Sequence, residues 1–129
     1  AHIRRMTPEE HDRVLAAVSH LPHLAAYALV RAVLRMRESD LDPLDFAAGG
    51  FRDFTRIASS SPEMWRDIVL TNREALLAQI DALADELASL REALESRDGA
   101  RLLSSFTEAK QARDAWLKRL ESMPGGQGR

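Results

Sequence analysis

At 129 residues the chain has the length of one domain, with room for a real core but too little for a two-domain enzyme. Its 45% hydrophobic and 29% charged residues are ordinary for a soluble globular protein, and 18 basic against 20 acidic residues leave a net charge of -2, which argues against nucleic acid as a partner. The absence of cysteine excludes disulfides, thiol catalysis and zinc sites built on thiolate.

The composition is rich in Ala, Leu, Arg and Glu, and no stretch alternates polar with apolar residues long enough for a strand, so an all-α fold is expected. Thr7-Pro8-Glu9-Glu10 is a helix start, with a capping hydroxyl, a proline in the first turn and two acids near the positive end of the helix dipole; a helix over about 8–20 follows. Pro22 has no N–H and disfavours helical geometry at Leu21, which predicts a kink or restart there. The next segment, from His23 to Leu34, is apolar almost all round for its first eight residues, the pattern of a helix buried on most sides. So short a chain cannot surround it alone, which makes it the candidate for a subunit interface.

The most apolar run, Leu21 to Met36, is read as too short and too charged to span a bilayer. Ala1-His2-Ile3-Arg4-Arg5 lacks the apolar core of a signal sequence, and a start at Ala suggests an excised segment; the cytoplasm is the default location.

Ser39-Asp40-Leu41-Asp42-Pro43 and Ala48-Gly49-Gly50 are breaks, the second leading into a short helix that carries Phe51 to Ile57. Ser59-Ser60-Ser61-Pro62-Glu63 repeats the capping pattern. From there Trp65, Val69, Asn72, Leu76, Ile80, Leu83, Leu87, Leu90 and Leu94 recur at steps of three and four, predicting one long amphipathic helix closed or bent at Gly99. A last helix, about 100–121, should fold back antiparallel on it, and the tail 124–129 should be disordered.

Two clusters carry candidate chemistry. His20 and His23 sit one helical turn apart, about 5–6 Å between Cβ atoms. They are open to three readings: metal ligands, for which His11 points the wrong way as a third; hydrogen-bonded residues at the kink; or imidazoles presented to a substrate cleft. Arg52 and Arg56, also one turn apart with Asp53 between them in sequence, are either a solvated helix face or, beside Phe51, Phe54 and Ile57, a partly buried guanidinium that needs a planar anion. Gly49 and Gly50 can let a backbone approach a ligand or simply turn the chain. Trp65 reads as a core anchor near the same end. No phosphate-cradling glycine motif and no Ser-His-Asp order occurs.

These motifs, in order and spacing, resemble the prephenate dehydrogenase family. The resemblance runs from Met6-Thr7-Pro8-Glu9-Glu10-His11-Asp12, through Ser19-His20-Leu21-Pro22-His23 and Gly49-Gly50-Phe51-Arg52-Asp53-Phe54-Thr55-Arg56-Ile57, to Pro62-Glu63-Met64-Trp65-Arg66-Asp67-Ile68. It implies an all-helical C-terminal dimerisation and substrate domain over 1–123, with a buried central helix and a long C-terminal antiparallel helix pair. An N-terminal Rossmann domain of the same polypeptide, absent here, would hold NAD or NADP and the catalytic histidine. The implied reaction of prephenate, or of arogenate in a close relative, is hydride transfer to the cofactor as carbon dioxide leaves, giving 4-hydroxyphenylpyruvate from prephenate. By the same resemblance Arg56 pairs with a substrate carboxylate, His23 stands at the cleft, Gly49 approaches the substrate through its backbone and Trp65 lies near the cleft entrance. His11, His20 and Asp53 would support them. No catalytic, cofactor or metal residue is expected in this segment, which alone should be inactive. The competing reading is a stand-alone helical dimer that binds an anionic metabolite or a protein partner as a regulatory module.

Overall fold

The computed structural model describes residues 5–123; the tail predicted to be disordered lies outside them. These residues form six α-helices joined by short π and 3-10 segments: α1 (Pro8–Leu15), a π turn (Ala16–His20), α2 (Leu21–Leu34), a 3-10 turn (Pro43–Phe46), α3 (Gly49–Thr55), a second 3-10 turn (Arg56–Ser59), α4 (Pro62–Thr71), α5 (Arg73–Glu95) and α6 (Gly99–Ser122). Among the described residues there is no strand, only an isolated bridge between Glu38 and Leu41. The chain is all-α, as its composition predicts. It divides into two compact units, residues 6–82 and a second built on residues from 83 onward, with the boundary inside α5.

In the first unit, Thr7 forms the capping box that the sequence announces: its hydroxyl accepts from the Glu10 N–H at 3.1 Å, and the Glu10 carboxylate accepts from the Thr7 N–H at 2.9 Å. Ser61 caps α4 in the same way, accepting from the Met64 N–H at 3.2 Å with Pro62 behind it. At Pro22, where a kink or restart is expected, the helix does not end. Instead the helix widens before the proline: the Leu21 N–H reaches the carbonyl of Ala16, a five-residue bond in place of a four-residue one, and α1 runs through the π turn into α2. Widening the turn accommodates a ring that lacks an N–H without ending the helix.

Run together, Pro8–Leu34 is a 27-residue helix with an 18-residue window of mean hydropathy 1.2, long and apolar enough by length and composition to cross a bilayer. The sequence reading weighed only Leu21 to Met36, as too short and too charged, and did not join it to the helix before it. Within the chain only Ala26 of α2 is buried, where α3 and the Arg56–Ser59 turn pack on it; Leu29 on the same helix stays 36% exposed. Tyr27 ties the second of these contacts by donating its hydroxyl to the Ser60 carbonyl at 2.9 Å.

The long helix predicted from Trp65 to Leu94 is two helices. Asn72, counted in the apolar stripe, takes a non-helical conformation (φ -109, ψ 37) and separates α4 from α5. Asn and Asp side chains offer the backbone hydrogen bonds outside a helix and so favour such breaks.

In the second unit the turn between α5 and α6 is made by Arg97, not by Gly99. Arg97 has φ 54, its N–H bonds the Leu94 carbonyl at 3.2 Å, and the Asp98 N–H bonds the Ala93 carbonyl at 2.8 Å, the paired bonds of a left-handed helix C-terminus. Gly99 opens α6, which Asp98 caps through the Arg101 N–H at 3.0 Å. Arg101 then reaches back to the Ser89 hydroxyl at 2.9 Å and the Glu92 carboxylate at 2.8 Å, laying the first turn of α6 against the end of α5. Past this clasp Leu87, Leu94, Leu103, Phe106 and Trp116 are exposed, so the apolar stripes of this pair are left open.

Arginine pays a steric penalty in the left-handed region that glycine does not. Arg97→Gly is therefore expected to raise stability by about 0.5–1 kcal/mol, seen as a higher thermal midpoint with unchanged helix content. A lower midpoint would mean that the Arg97 side chain contributes more than its backbone costs.

Candidate functional site

The π turn and the start of α2 place His20 and His23 on one side of the long helix, and α4 brings Trp65 to them. The His23 ring stacks on the indole, with centroids 3.7 Å apart and planes 17° apart, while His20 meets the same indole edge-on at 5.9 Å and 76°. Trp65 and His20 are each 9% exposed, and Trp65 is the one buried residue of α4. Trp65 is thus a core anchor and a wall of the histidine pair at once.

Both imidazoles are held at Nδ1. His23 Nδ1 donates to the Ser19 carbonyl at 2.9 Å, one turn back on the helix, a bond made available where the π turn loosens the regular ladder. The Asn72 amide nitrogen lies 3.2 Å from His20 Nδ1 and donates to the Asp12 carbonyl at 2.8 Å. Asn72 therefore joins α1, the π turn and the α4–α5 junction. The sequence reading missed it; the signal was a polar amide on an otherwise apolar stripe. Beside this junction an open groove of about 460 Å³ runs between α1 and α4, lined by Asp12, Leu15, His20, Met64, Ile68 and Asn72 among others.

The arginine motif lies on the other elements that pack on α2. Phe51 and Ile57 are half-buried, but Phe54 is 55% exposed and does not share their face. Arg52 and Arg56 are both exposed, Arg56 as the first residue of the 3-10 turn, so the expected partly buried guanidinium is not found. Among the described residues neither guanidinium has an ion-pair or hydrogen-bond partner, and Asp53 is exposed and unpaired as well. Both arginines stand available to an anion from outside.

Gly49 begins α3; a Cβ there would meet nothing within 4 Å and its φ is not positive, so the fold of this chain does not itself require glycine. His11 is exposed on α1 without a side-chain partner. Among the described residues no three His, Asp or Glu side chains could hold a metal ion together.

Of the residues singled out from the sequence, the structure brings His20, His23 and Trp65 into contact. It gives Gly49, Asp53 and Arg56 a common neighbourhood on α3 and its following turn, joined to the histidine helix by the packing of both segments on α2 and by the Tyr27–Ser60 bond. Among the described residues His11 makes no side-chain hydrogen bond, ion pair or ring contact with either group.

Residues 7–108 match the family described as "Prephenate dehydrogenase, dimerization domain". The chain is 47% identical over 116 residues to a prephenate dehydrogenase of Bacillus subtilis, covering 88% of this chain and 31% of that protein. Among solved structures, the prephenate dehydrogenase of Aquifex aeolicus in complex with hydroxyphenyl propionate and NAD+ superimposes with a TM-score of 0.82 at 39% identity, over 88% of this chain and 40% of that one. The arogenate dehydrogenase of Synechocystis gives 0.83 at 26% identity, over 90% and 42%. The chain thus spans about a third of the length of the curated relatives it matches. The match over residues 7–108, more than three-quarters of this all-helical chain, places it in the prephenate dehydrogenase dimerization-domain family.

Proposed function

We propose that this chain is the C-terminal dimerisation and substrate-binding domain, over residues 1–123, of a dehydrogenase that oxidatively decarboxylates prephenate or arogenate in the cytoplasm. NAD or NADP would be bound by an N-terminal Rossmann domain of the same polypeptide. What supports the reading is the match to relatives that are all dehydrogenases of this kind, one of them solved with hydroxyphenyl propionate and NAD+. It favours an enzyme domain over a stand-alone regulatory module. The described residues are helices and turns, with nothing of the strand, glycine turn and helix that cradle a dinucleotide, so no step of hydride transfer is assigned to them.

In this reading Arg56 meets a substrate carboxylate by a bidentate, charge-assisted pair, His23 contributes Nε2 at the cleft, and Trp65 walls it. Gly49 leaves open the space into which a ligand can approach the α3 backbone. His11, His20 and Asp53 are supporting polar groups. Subunit association covers the apolar surface that the chain leaves bare: Leu29 on α2, and Leu87, Leu94, Leu103, Phe106 and Trp116 on α5 and α6. The apolar face of Pro8–Leu34 is then a protein contact and not a bilayer contact.

In the complete enzyme, Arg56→Ala should weaken substrate binding by about 2–5 kcal/mol, and Arg52→Ala by well under about 1, with the fold unchanged in both. Steady-state kinetics that resolve the Michaelis constant from turnover check this, and equal small effects would place the carboxylate site elsewhere. Sedimentation of this chain at micromolar concentration should show a dimer; a well-folded monomer would contradict the assignment of its apolar faces. Equilibrium titration with NAD+ or NADP+ should show no binding to the segment alone, and turnover of prephenate by a pure preparation would show that catalytic groups have been misplaced.

A further inference from the structure

The amide of Asn72 has a settled orientation, because the atom facing the Asp12 carbonyl at 2.8 Å has to be the nitrogen: two oxygens would repel. The same nitrogen faces His20 Nδ1 at 3.2 Å, so its second proton is given to that ring atom, which must accept. A neutral His20 then carries its proton on Nε2. For His23 the logic runs the other way. Its Nδ1 faces a carbonyl, so Nδ1 carries the proton and Nε2 keeps its lone pair. The two imidazoles that flank Trp65 therefore offer opposite polarity, a donor at His20 Nε2 and an acceptor at His23 Nε2. Neither Nε2 has a hydrogen-bond partner among the described residues, and neither is fully sealed from solvent. His20 itself lines the groove between α1 and α4.

We propose that Asn72 is a positioning residue: by giving one amide proton to the Asp12 carbonyl and the other to His20 Nδ1, it fixes His20 as a hydrogen-bond donor and holds the Trp65–His23 stack beside it in register. The pair then suits a ligand that presents an acceptor, such as a carboxylate oxygen, and a hydroxyl donor within one helical turn of each other. The hydrogen-bond assignment stands on geometry alone. Its use in substrate binding rests on the dehydrogenase reading above.

Heteronuclear NMR of this chain, labelled at histidine and asparagine and held at a pH where the imidazoles are neutral, tests the first part. A scalar coupling across the hydrogen bond should link the Asn72 side-chain nitrogen to His20 Nδ1, with His20 protonated at Nε2 and His23 at Nδ1. A wild-type His20 protonated at Nδ1, without that coupling, would overturn the proposal whatever any variant does. Asn72→Asp replaces the donor by an acceptor of the same shape and should reverse the His20 tautomer; an unchanged tautomer would show that Asn72 does not set it. In the complete enzyme the same variant should raise the Michaelis constant about tenfold while changing turnover by less than about threefold. A reversed tautomer with an unmoved Michaelis constant would overturn the positioning role and leave the dehydrogenase reading, which Arg56 tests separately, untouched.

Discussion

The stack of His23 on Trp65, with His20 closing against the indole edge, is the interaction on which the arrangement of residues 6–82 turns. It is the docking point of α4, since no other residue of that helix is buried. The indole meets one imidazole face to face and the other edge-on, so the three rings constrain one another by mutual contact. The rest follows from having to feed this contact. Three-residue spacing puts both histidines on one face, the π turn supplies the slack that lets the helix carry a proline between them, and the α4–α5 break frees the Asn72 side chain to reach back to His20.

The chain buries little else. Among the described residues Ala16, Ala26, Trp65, Leu76 and Ala93 are the buried apolar ones, and three of these five are alanines that allow close backbone approach but contribute small transfer energies. Large side chains are mostly at the surface. Such a domain directs its bulky apolar groups outward to a neighbour and keeps its own interior for positioning polar ones. The exposed α5 and α6 stripes and the enclosed His20 are two sides of one division of labour.

Much of this was legible in the residues. The capping patterns at Thr7 and Ser61 are local chemistry, complete within four residues, and each starts a helix where the sequence places it. The His20–His23 pair and Trp65 were recognisable as candidates because their types and spacings are uncommon. Other features depend on tertiary contacts that periodicity does not encode. Pro22 reads as a break because four-residue hydrogen bonding is assumed, whereas a π turn removes the clash. Asn72 fits a stripe by spacing, and only the nearness of Asp12 and His20 makes its amide worth more outside the helix than in it. Arg97 carries no glycine signal at all; the reach of Arg101 to Ser89 and Glu92 holds the turn closed around it. Phe54 matched the apolar face in a seven-residue helix too short for its periodicity to choose a side.

The π turn also acts as a phase shift. One residue more than an α-helical turn needs is accommodated between Ala16 and Leu21, so everything after it is rotated by about 100° from where α1 alone would have carried it. The rotation is local, but it is inherited by His23 and by the whole of α2. Closing this stretch as a regular α-helix at its present length would leave every side chain in the sequence intact and every downstream helical bond satisfiable, yet would turn the imidazole of His23 by about 100° away from the indole. A chain one residue shorter could close the same turn with α-helical bonds and keep His23 in phase. The site is therefore tied to the widened turn and not to the residue count alone, and a related chain that keeps the histidine–tryptophan contact with one residue fewer here should have a regular α-helical turn in its place.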